Sequence, residues 1–339
     1  MSDLPEELPG ALVPPDNETS PEVLRPLAGP QESVLVQPEK SVLPDGPFCR
    51  LPERDPDLLF QHFTRPIAPP QERIPHMGHI GILILLALGC LAVAALLARA
   101  AVSYHFFGVT SISEAATEIH YTLGTEAIFY LLTLCCSVLL FPLVWHRNFF
   151  AALQWHADHA RKYVGYLLGA AGVCFVLAMF DGILMPGPAD APIDRIFRTP
   201  GAAWILFAFG VTLAPFFEEL AFRGFLLPAL STAFDWIAEK ATGESPHPLD
   251  PYGNPQWSMP AMVVAAIITS ILFAALHADQ TGYSLGPFLL LVLVSLVLCG
   301  VRLALRSLAA SVLVHATYNF LLFSFMFFGT SGFRHLENM

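Results

Sequence analysis

The sequence predicts an all-α, polytopic transmembrane helical bundle of about seven or eight spans, preceded by a disordered N-terminal tail. Of its 339 residues, 55% are hydrophobic and 13% are charged, whereas soluble domains carry roughly 25% charged residues. Seven windows of 17 to 22 residues contain no Asp, Glu, Lys or Arg, and about 20 predominantly apolar residues suffice to cross a bilayer. Residues 1–77 differ from this apolar body, since they hold 16 of the 29 prolines.

The predicted tail, residues 1–77, carries 13 acidic and 6 basic residues and few aromatic ones. Such a composition cannot bury enough apolar surface to fold, so we expect a disordered extension, with a partner-docking segment as the alternative. Over the whole chain, 17 Lys and Arg face 28 Asp and Glu. This balance leaves no basic surface for nucleic acid, which excludes a nucleic-acid partner.

The seven apolar windows divide the rest of the chain. Each should be a helix, because hydrocarbon offers backbone groups no external hydrogen-bond partner. We expect N-terminal transmembrane helices within 78–199, a membrane core at 200–329 and a short C-terminal tail at 330–339. In chain order the windows are 80–98, 127–145, 163–180, 201–217, 260–276, 285–301 and 308–329.

The fourth window should contain a broken helix. The apolar stretch from Gly201 to about Lys240 would be ~60 Å long as one straight helix. Since the hydrocarbon core is only ~30 Å thick, the helix must break, and Pro215 and Pro228 are plausible places.

The loops predict a cytoplasmic N-terminal tail, because cytoplasmic loops carry an excess of Lys and Arg. With that orientation the opposite side holds four basic residues, Arg99, Arg195, Arg198 and Arg334. The cytoplasmic side then holds eight, namely Arg65, Arg73, Arg147, Arg161, Lys162, Lys240, Arg302 and Arg306.

Charges that lie deep in the apolar body are functional candidates, since the membrane makes them costly. Only Glu218, Glu219 and Arg223 fit this description. On a helix Glu219 and Arg223 are four residues apart and can pair, whereas Glu218 points about 100° away. A desolvated carboxylate without a partner suits general-base chemistry; helix-packing contacts are the alternative.

Three other acidic residues lie at the ends of the predicted spans, and we expect their side chains to be solvated. These are Glu114, Glu126 and Asp181.

Three further polar residues lie on apolar helices. His277 ends the fifth window, and His315 and Asn319 share one helical face in the seventh. Together with Glu218 they could activate water and hold an oxyanion, or pack as hydrogen-bonded helix contacts. Glu218, His277 and His315 are also a plausible zinc ligand set.

These residues form three ordered motifs: Glu-Glu-x-x-x-Arg at 218–223, Phe-x-x-x-His at 273–277 and His-x-x-x-Asn at 315–319. The set resembles the CPBP family, which comprises CAAX prenyl endopeptidases and bacteriocin-processing intramembrane proteases and is also called the ABI domain. The resemblance covers roughly residues 200–325. Each motif is weak alone, but the ordered set is specific.

The resemblance implies an intramembrane endopeptidase that hydrolyses a peptide bond of a membrane-associated or lipidated substrate. It implies that Glu218, aided by His277, activates water, and that His315 and Asn319 bind the oxyanion. Glu219 and Arg223 would be the supporting ion pair. Family members are described both as metal-dependent and as metal-free glutamate proteases, so a divalent metal such as zinc stays open.

Two other functions are alternatives. A non-proteolytic scaffold or immunity protein of the same family would not need all four polar groups. A transporter using Glu218, Glu219 and Arg223 as an ion relay would need further acids on other helices along the same path.

Two regions do not fit a simple seven-helix picture. Straight helices would place His277 late in the fifth span and His315 early in the seventh, at different depths. Residues 230–259 look long for the family and predict a surface loop, with a lid over the site as the alternative.

Overall fold

The computed structural model describes residues 72–185, 187 and 201–333. All of them belong to the compact unit Ala68–Met339. The predicted disorder of residues 1–71, the segment around 188–200 and most of the C-terminal tail lie outside the described residues.

The described residues form helices and no strand, which confirms the predicted all-α class. Seven helices are long and apolar enough to cross a membrane. The first three spans are α1, α2 and α3, and the fourth is composite, with α4, α5, a π-helix at Leu220–Leu226 and α6. The bounds are α1 Met77–Ser103, α2 Ile119–Trp145, α3 Val164–Leu184, α4 Ala202–Val211, α5 Leu213–Glu219, α6 Leu227–Thr242, α7 Met259–Leu276, α8 Leu285–Leu305 and α9 Leu308–Gly329.

The fourth span is interrupted twice, as its length requires. Thr212 departs from α-helical geometry with φ −117° and ψ −71°, and the π-helix follows Glu219. Each interruption begins before a proline, Pro215 or Pro228, rather than at it. The reason is that a proline ring displaces the carbonyl four residues earlier, so the distortion spreads toward the N-terminus.

Aromatic packing holds the π-helix in place. Phe225 is fully buried and its ring centre lies 4.9 Å from that of Phe141 and 5.6 Å from that of Trp145. Phe149, in a short helix after α2, completes the cluster at 6.1 Å from Phe225. Because π-helices lose regular hydrogen bonding and often mark functional sites, this external packing stabilises a backbone form that the sequence alone would not favour.

The end of the predicted tail is structured. Ile74 is 5% exposed and packs in the same apolar cluster as Phe141 and Trp145. Arg73 forms an ion pair with Glu239 of α6. The boundary predicted at residue 77 was therefore too late, because a single apolar residue and an ion pair already bind this segment to the bundle.

The region 230–259 is only partly a loop. Helix α6 continues to Thr242, and the remaining connection is pinned to other helices. Arg147 donates to the carbonyl oxygens of Tyr252 and Gly253, both at 2.9 Å, and Arg306 lies 3.5 Å from Asp250. Among the described contacts none joins this loop to Glu218, His277 or His315, so the lid alternative finds no support.

Asp250 organises this loop. Its carboxylate accepts hydrogen bonds from the backbone N–H of Asn254 and Tyr252 at 2.8 and 2.9 Å and faces Arg306. Partial burial raises the pKa of Asp250, but the bonds from Asn254 and Tyr252 and the charge of Arg306 outweigh it. The net pKa therefore lies below its ordinary value of 3.8.

Acid should loosen this loop. Because its folded-state pKa is lowered, the Asp250 carboxylate stabilises the loop fully above the ordinary pKa of 3.8, and this contribution is lost as the pH falls through the folded-state value. Limited proteolysis should therefore cut within 243–258 faster at low pH. Asp250→Asn should show the faster cutting already at pH ~7, unlike Glu244→Gln in the same loop. An Asp250→Asn loop as resistant as the wild type would contradict this role.

Candidate active site

Three side chains from three spans converge at the end of α5. The Glu218 Oε2 atom lies 3.7 Å from His277 Nε2 and 3.8 Å from His315 Nε2. The side chains of Glu218 and His277 are each 19% exposed, and that of His315 is 6% exposed. These separations are longer than direct hydrogen bonds.

The other ring nitrogen of His277 has a fixed role. His277 Nδ1 lies 2.8 Å from the carbonyl oxygen of Phe273. A carbonyl can only accept, so Nδ1 carries the hydrogen, and in the neutral ring the lone pair lies on Nε2. The basic nitrogen of His277 thus faces Glu218.

His315 is oriented in the same way by a carboxylate. Its Nδ1 donates to Glu219 Oε1 at 2.9 Å, and the same oxygen accepts from Arg223 at 2.9 Å. Glu219 and Arg223 are both fully buried, so the expected pair forms. The sequence did not reveal that Glu219 also supports His315, because the two residues are on different helices.

Arg223 makes contacts in three directions. Its guanidinium donates to the Ser295 hydroxyl at 2.6 Å and to the Ser295 carbonyl oxygen at 3.1 Å. It also lies 4.7 Å from the ring centre of Phe273, within cation–π range. Arg223 therefore ties the first motif to α8 and to the helix that ends in His277.

A second buried arginine was missed. Arg302, assigned from sequence to a loop, is 2% exposed. It donates to the carbonyl oxygen of Arg223 at 3.1 Å and to the side chain of Gln154 at 2.8 Å. It stands one residue beyond the apolar window, which is why hydropathy placed it outside the span.

Asn319 lies one turn after His315. Its amide nitrogen donates to the carbonyl oxygen of Gly210 at 2.7 Å, close to the interruption at Thr212. One of its two N–H groups is thus engaged beside the break.

Glu126 is not a solvated flank, contrary to the sequence interpretation. It is the eighth residue of α2 and accepts a hydrogen bond from the Tyr130 hydroxyl at 2.8 Å. The apolar window was taken to begin at residue 127, and the helix begins a further two turns earlier, which carries Glu126 into the bundle.

The two histidines meet despite the depth difference expected from straight spans. His277 follows the 18 residues of α7, whereas His315 is the eighth residue of α9. Their joint contact with Glu218 requires α7 and α9 to be offset by about ten residues, or roughly 15 Å. The buried loop contacts at the start of α9, including the bond from Leu308 to Gln154 at 3.0 Å, fix that offset.

A separate group of metal-type residues surrounds the start of α1. Ligand atoms of Glu72, His76 and His79 lie within 4.8 Å of one another. However, Nδ1 of His76 accepts from the Gly78 N–H, and Nδ1 of His79 accepts from the His76 N–H. In neutral rings the hydrogen then lies on Nε2, which leaves no lone pair for a metal. This group caps the helix.

Comparison with known proteins supports the motif resemblance. Residues 200–321 match the family model described as type II CAAX prenyl endopeptidase, Rce1-like, which is consistent with the CPBP family. The matched region contains all seven defined residues of the three motifs, and the matched family is one of proteases. No curated protein and no solved structure matches the chain. The seven apolar helices and this match fit an integral, multi-pass membrane protein.

Proposed function

We propose that this protein is an intramembrane endopeptidase that hydrolyses a peptide bond of a membrane-associated or lipidated substrate. The observation that carries the proposal is the position of Glu218, whose carboxylate faces the basic nitrogens of two oriented imidazoles. A carboxylate with two imidazole nitrogens within 4 Å of it is suited to general-base hydrolysis.

In this reaction Glu218 takes a proton from water while His277 Nε2 accepts a hydrogen bond from the same water and orients it. The oxygen attacks the carbonyl carbon and gives a tetrahedral intermediate. His315 and the second N–H of Asn319 bind its oxyanion. Glu218 then gives the proton to the amide nitrogen, the oxyanion re-forms the carbonyl as the C–N bond breaks, and a carboxylic acid and an amine leave.

Glu219 acts through His315. It accepts the Nδ1 hydrogen and so holds the ring with Nε2 toward the site, as a carboxylate does behind a catalytic histidine. For His315 to donate to an oxyanion from Nε2 while Nδ1 donates to Glu219, both ring nitrogens must carry a hydrogen.

Glu218, His277 and His315 are the residues that would hold a divalent metal such as zinc, and each histidine has the hydrogen-bonded second nitrogen that is typical of metal ligands. Their ligand atoms, however, do not all lie within 4.8 Å of one another. Ligands at ~2.1 Å in tetrahedral geometry lie about 3.4 Å apart, so the three side chains do not fit a metal in this arrangement.

The organisation of the chain supports a multi-pass protein with the protease core at 200–329 and its N-terminal tail in the cytoplasm. Because Arg302 is buried, seven of the eight basic residues assigned to the cytoplasmic side remain against four, and the same orientation is favoured. The partners of such a protein would be the lipid bilayer that surrounds its spans and a lipidated peptide as its substrate.

The test is cleavage by purified protein in liposomes, using fluorogenic peptides with and without a prenylated C-terminal cysteine. We expect wild-type cleavage and a loss of 10²- to 10⁴-fold, the range for a general-base partner, in His277→Ala. His247→Ala, which alters a histidine in the 243–258 loop, is the control. Treatment with a chelator then distinguishes a metal-dependent protease from a metal-free glutamate protease. Only the metal-dependent enzyme would lose activity and regain it when zinc is added. Peptide cleavage that His277→Ala leaves unchanged would contradict the proposal.

One observation favours the transporter alternative. Glu126 supplies the acid on a second helix that an ion relay requires. Glu219 and Arg223, however, are fully buried and bonded to each other, which suits a static support rather than a path. Proton flux into liposomes that Glu218→Gln abolishes, without any peptide cleavage, would favour transport.

A further inference from the structure

A second acidic side chain, on α2, lies near the helix that carries Glu218. Glu126 is half-buried, and its hydrogen bond from Tyr130 at 2.8 Å is the only one it makes among the described residues. It thus keeps one carboxylate oxygen that no described donor occupies.

Tyr130 holds this carboxylate against the helix that carries the proposed catalytic base. Its ring stacks on Phe217, with ring centres 4.7 Å apart and planes 21° apart, and on Phe209 at 5.9 Å and 16°. Phe217 directly precedes Glu218, and Phe209 lies on the other side of the break at Thr212. The phenol therefore bridges both halves of the broken helix, and its hydroxyl holds Glu126 beside them.

The charges around this space are unbalanced. Arg223 is fully buried and paired with Glu219, so it offers no charge to a ligand. The partly exposed carboxylates are those of Glu126 and Glu218. An unpaired carboxylate at this depth in an apolar bundle is costly, and a cationic group on a ligand would offset that cost.

We propose that Glu126, held in place by Tyr130, recognises the substrate and selects peptides with a lysine or arginine next to the scissile bond. This inference rests on the proposed function. The ammonium or guanidinium group would bind the open Glu126 oxygen while Glu218 acts on the neighbouring carbonyl. Electrostatic complementarity of this kind sets specificity more than overall affinity.

The experiment uses three prenylated fluorogenic peptides that differ only at a position flanking the scissile bond, with Lys, Gln or Glu there, on each side of the bond in turn. For the full-length wild type in liposomes, kcat/KM should be about tenfold higher for Lys than for Gln on one side, as for one partly screened ion pair. The Glu peptide should be cleaved more slowly than the Gln peptide.

Glu126→Gln should remove this ranking while cleaving the Gln peptide. Tyr130→Phe keeps the Glu126 carboxylate but removes the hydrogen bond that holds it in place. The preference for Lys should therefore become smaller without disappearing. Glu114→Gln, which neutralises an exposed carboxylate in the connection between α1 and α2, should keep the full preference. A wild type that shows no Lys preference, or a Glu126→Gln protein that keeps it, would overturn the inference.

Failure of this inference is separable from failure of the proposed function. If no peptide is cleaved, or if Glu218→Gln cleaves all three like the wild type, the protease proposal itself fails. If Glu218→Gln is inactive, the same variant provides a second measurement. Its binding of the three peptides, followed by fluorescence anisotropy, should rank Lys above Gln above Glu, and adding Glu126→Gln should abolish that ranking.

Discussion

Glu218→Gln is expected to lower kcat for peptide hydrolysis by about 10³- to 10⁴-fold, the upper range for loss of a positioned general base. Glutamine has the shape of glutamate but cannot take a proton from water. The Glu218 carboxylate is the only acidic group that lies within 4 Å of both His277 Nε2 and His315 Nε2 in the described residues. No neighbour is therefore placed to replace it.

The variant should still bind substrate, because the change removes a charge and leaves the packing intact. Peptide binding within a few-fold of wild type, together with lost turnover, would identify a defect in chemistry. Glu244→Gln, at an exposed glutamate in the loop after α6, is the matched control. Near-wild-type kcat in Glu218→Gln would remove the general-base role.

Arg223→Gln is expected to destabilise the protein by about 3–5 kcal/mol, the cost of leaving one member of a buried ion pair without its partner. The change removes the 2.9 Å bond to Glu219 and the 2.6 Å bond to the Ser295 hydroxyl. It also removes the cation beside the Phe273 ring. Glu219 would then retain only His315 as a donor in the described structure.

The measurement is unfolding in detergent followed by helix content, with Glu219→Gln and the double variant Glu219→Gln/Arg223→Gln alongside. The double variant should lose less than the sum of the two single losses, because both charges disappear together. Strictly additive losses, or a drop below about 1 kcal/mol for Arg223→Gln, would show that the pair is not coupled.

Most of the fold could be predicted from the sequence. Hydropathy located all seven spans because each helix must satisfy its backbone within itself in hydrocarbon. The length of the apolar stretch after Gly201 required a broken helix, and the four-residue spacing of Glu219 and Arg223 predicted their pair. These inferences depend only on local periodicity and length.

Errors arose where a residue stood at the end of an apolar window. Glu126 precedes the second window and Arg302 follows the sixth, so both were assigned to solvated ends. In the structure α2 begins at Ile119 and α8 ends at Leu305, and both side chains lie inside the bundle. Windows that exclude charge cannot detect a charge that a helix carries into the protein interior.

The sequence by itself determined the helical membrane architecture and the polar residues that the bilayer makes costly, because both follow from chain chemistry over a few turns. The tertiary structure decided that His277 and His315 both approach Glu218, that Glu219 supports His315, and that Glu126 lies inside the bundle, bound by Tyr130. Those relations depend on the offset between α7 and α9 and on the breaks before Pro215 and Pro228. Packing between distant segments sets these features, and no local pattern encodes them.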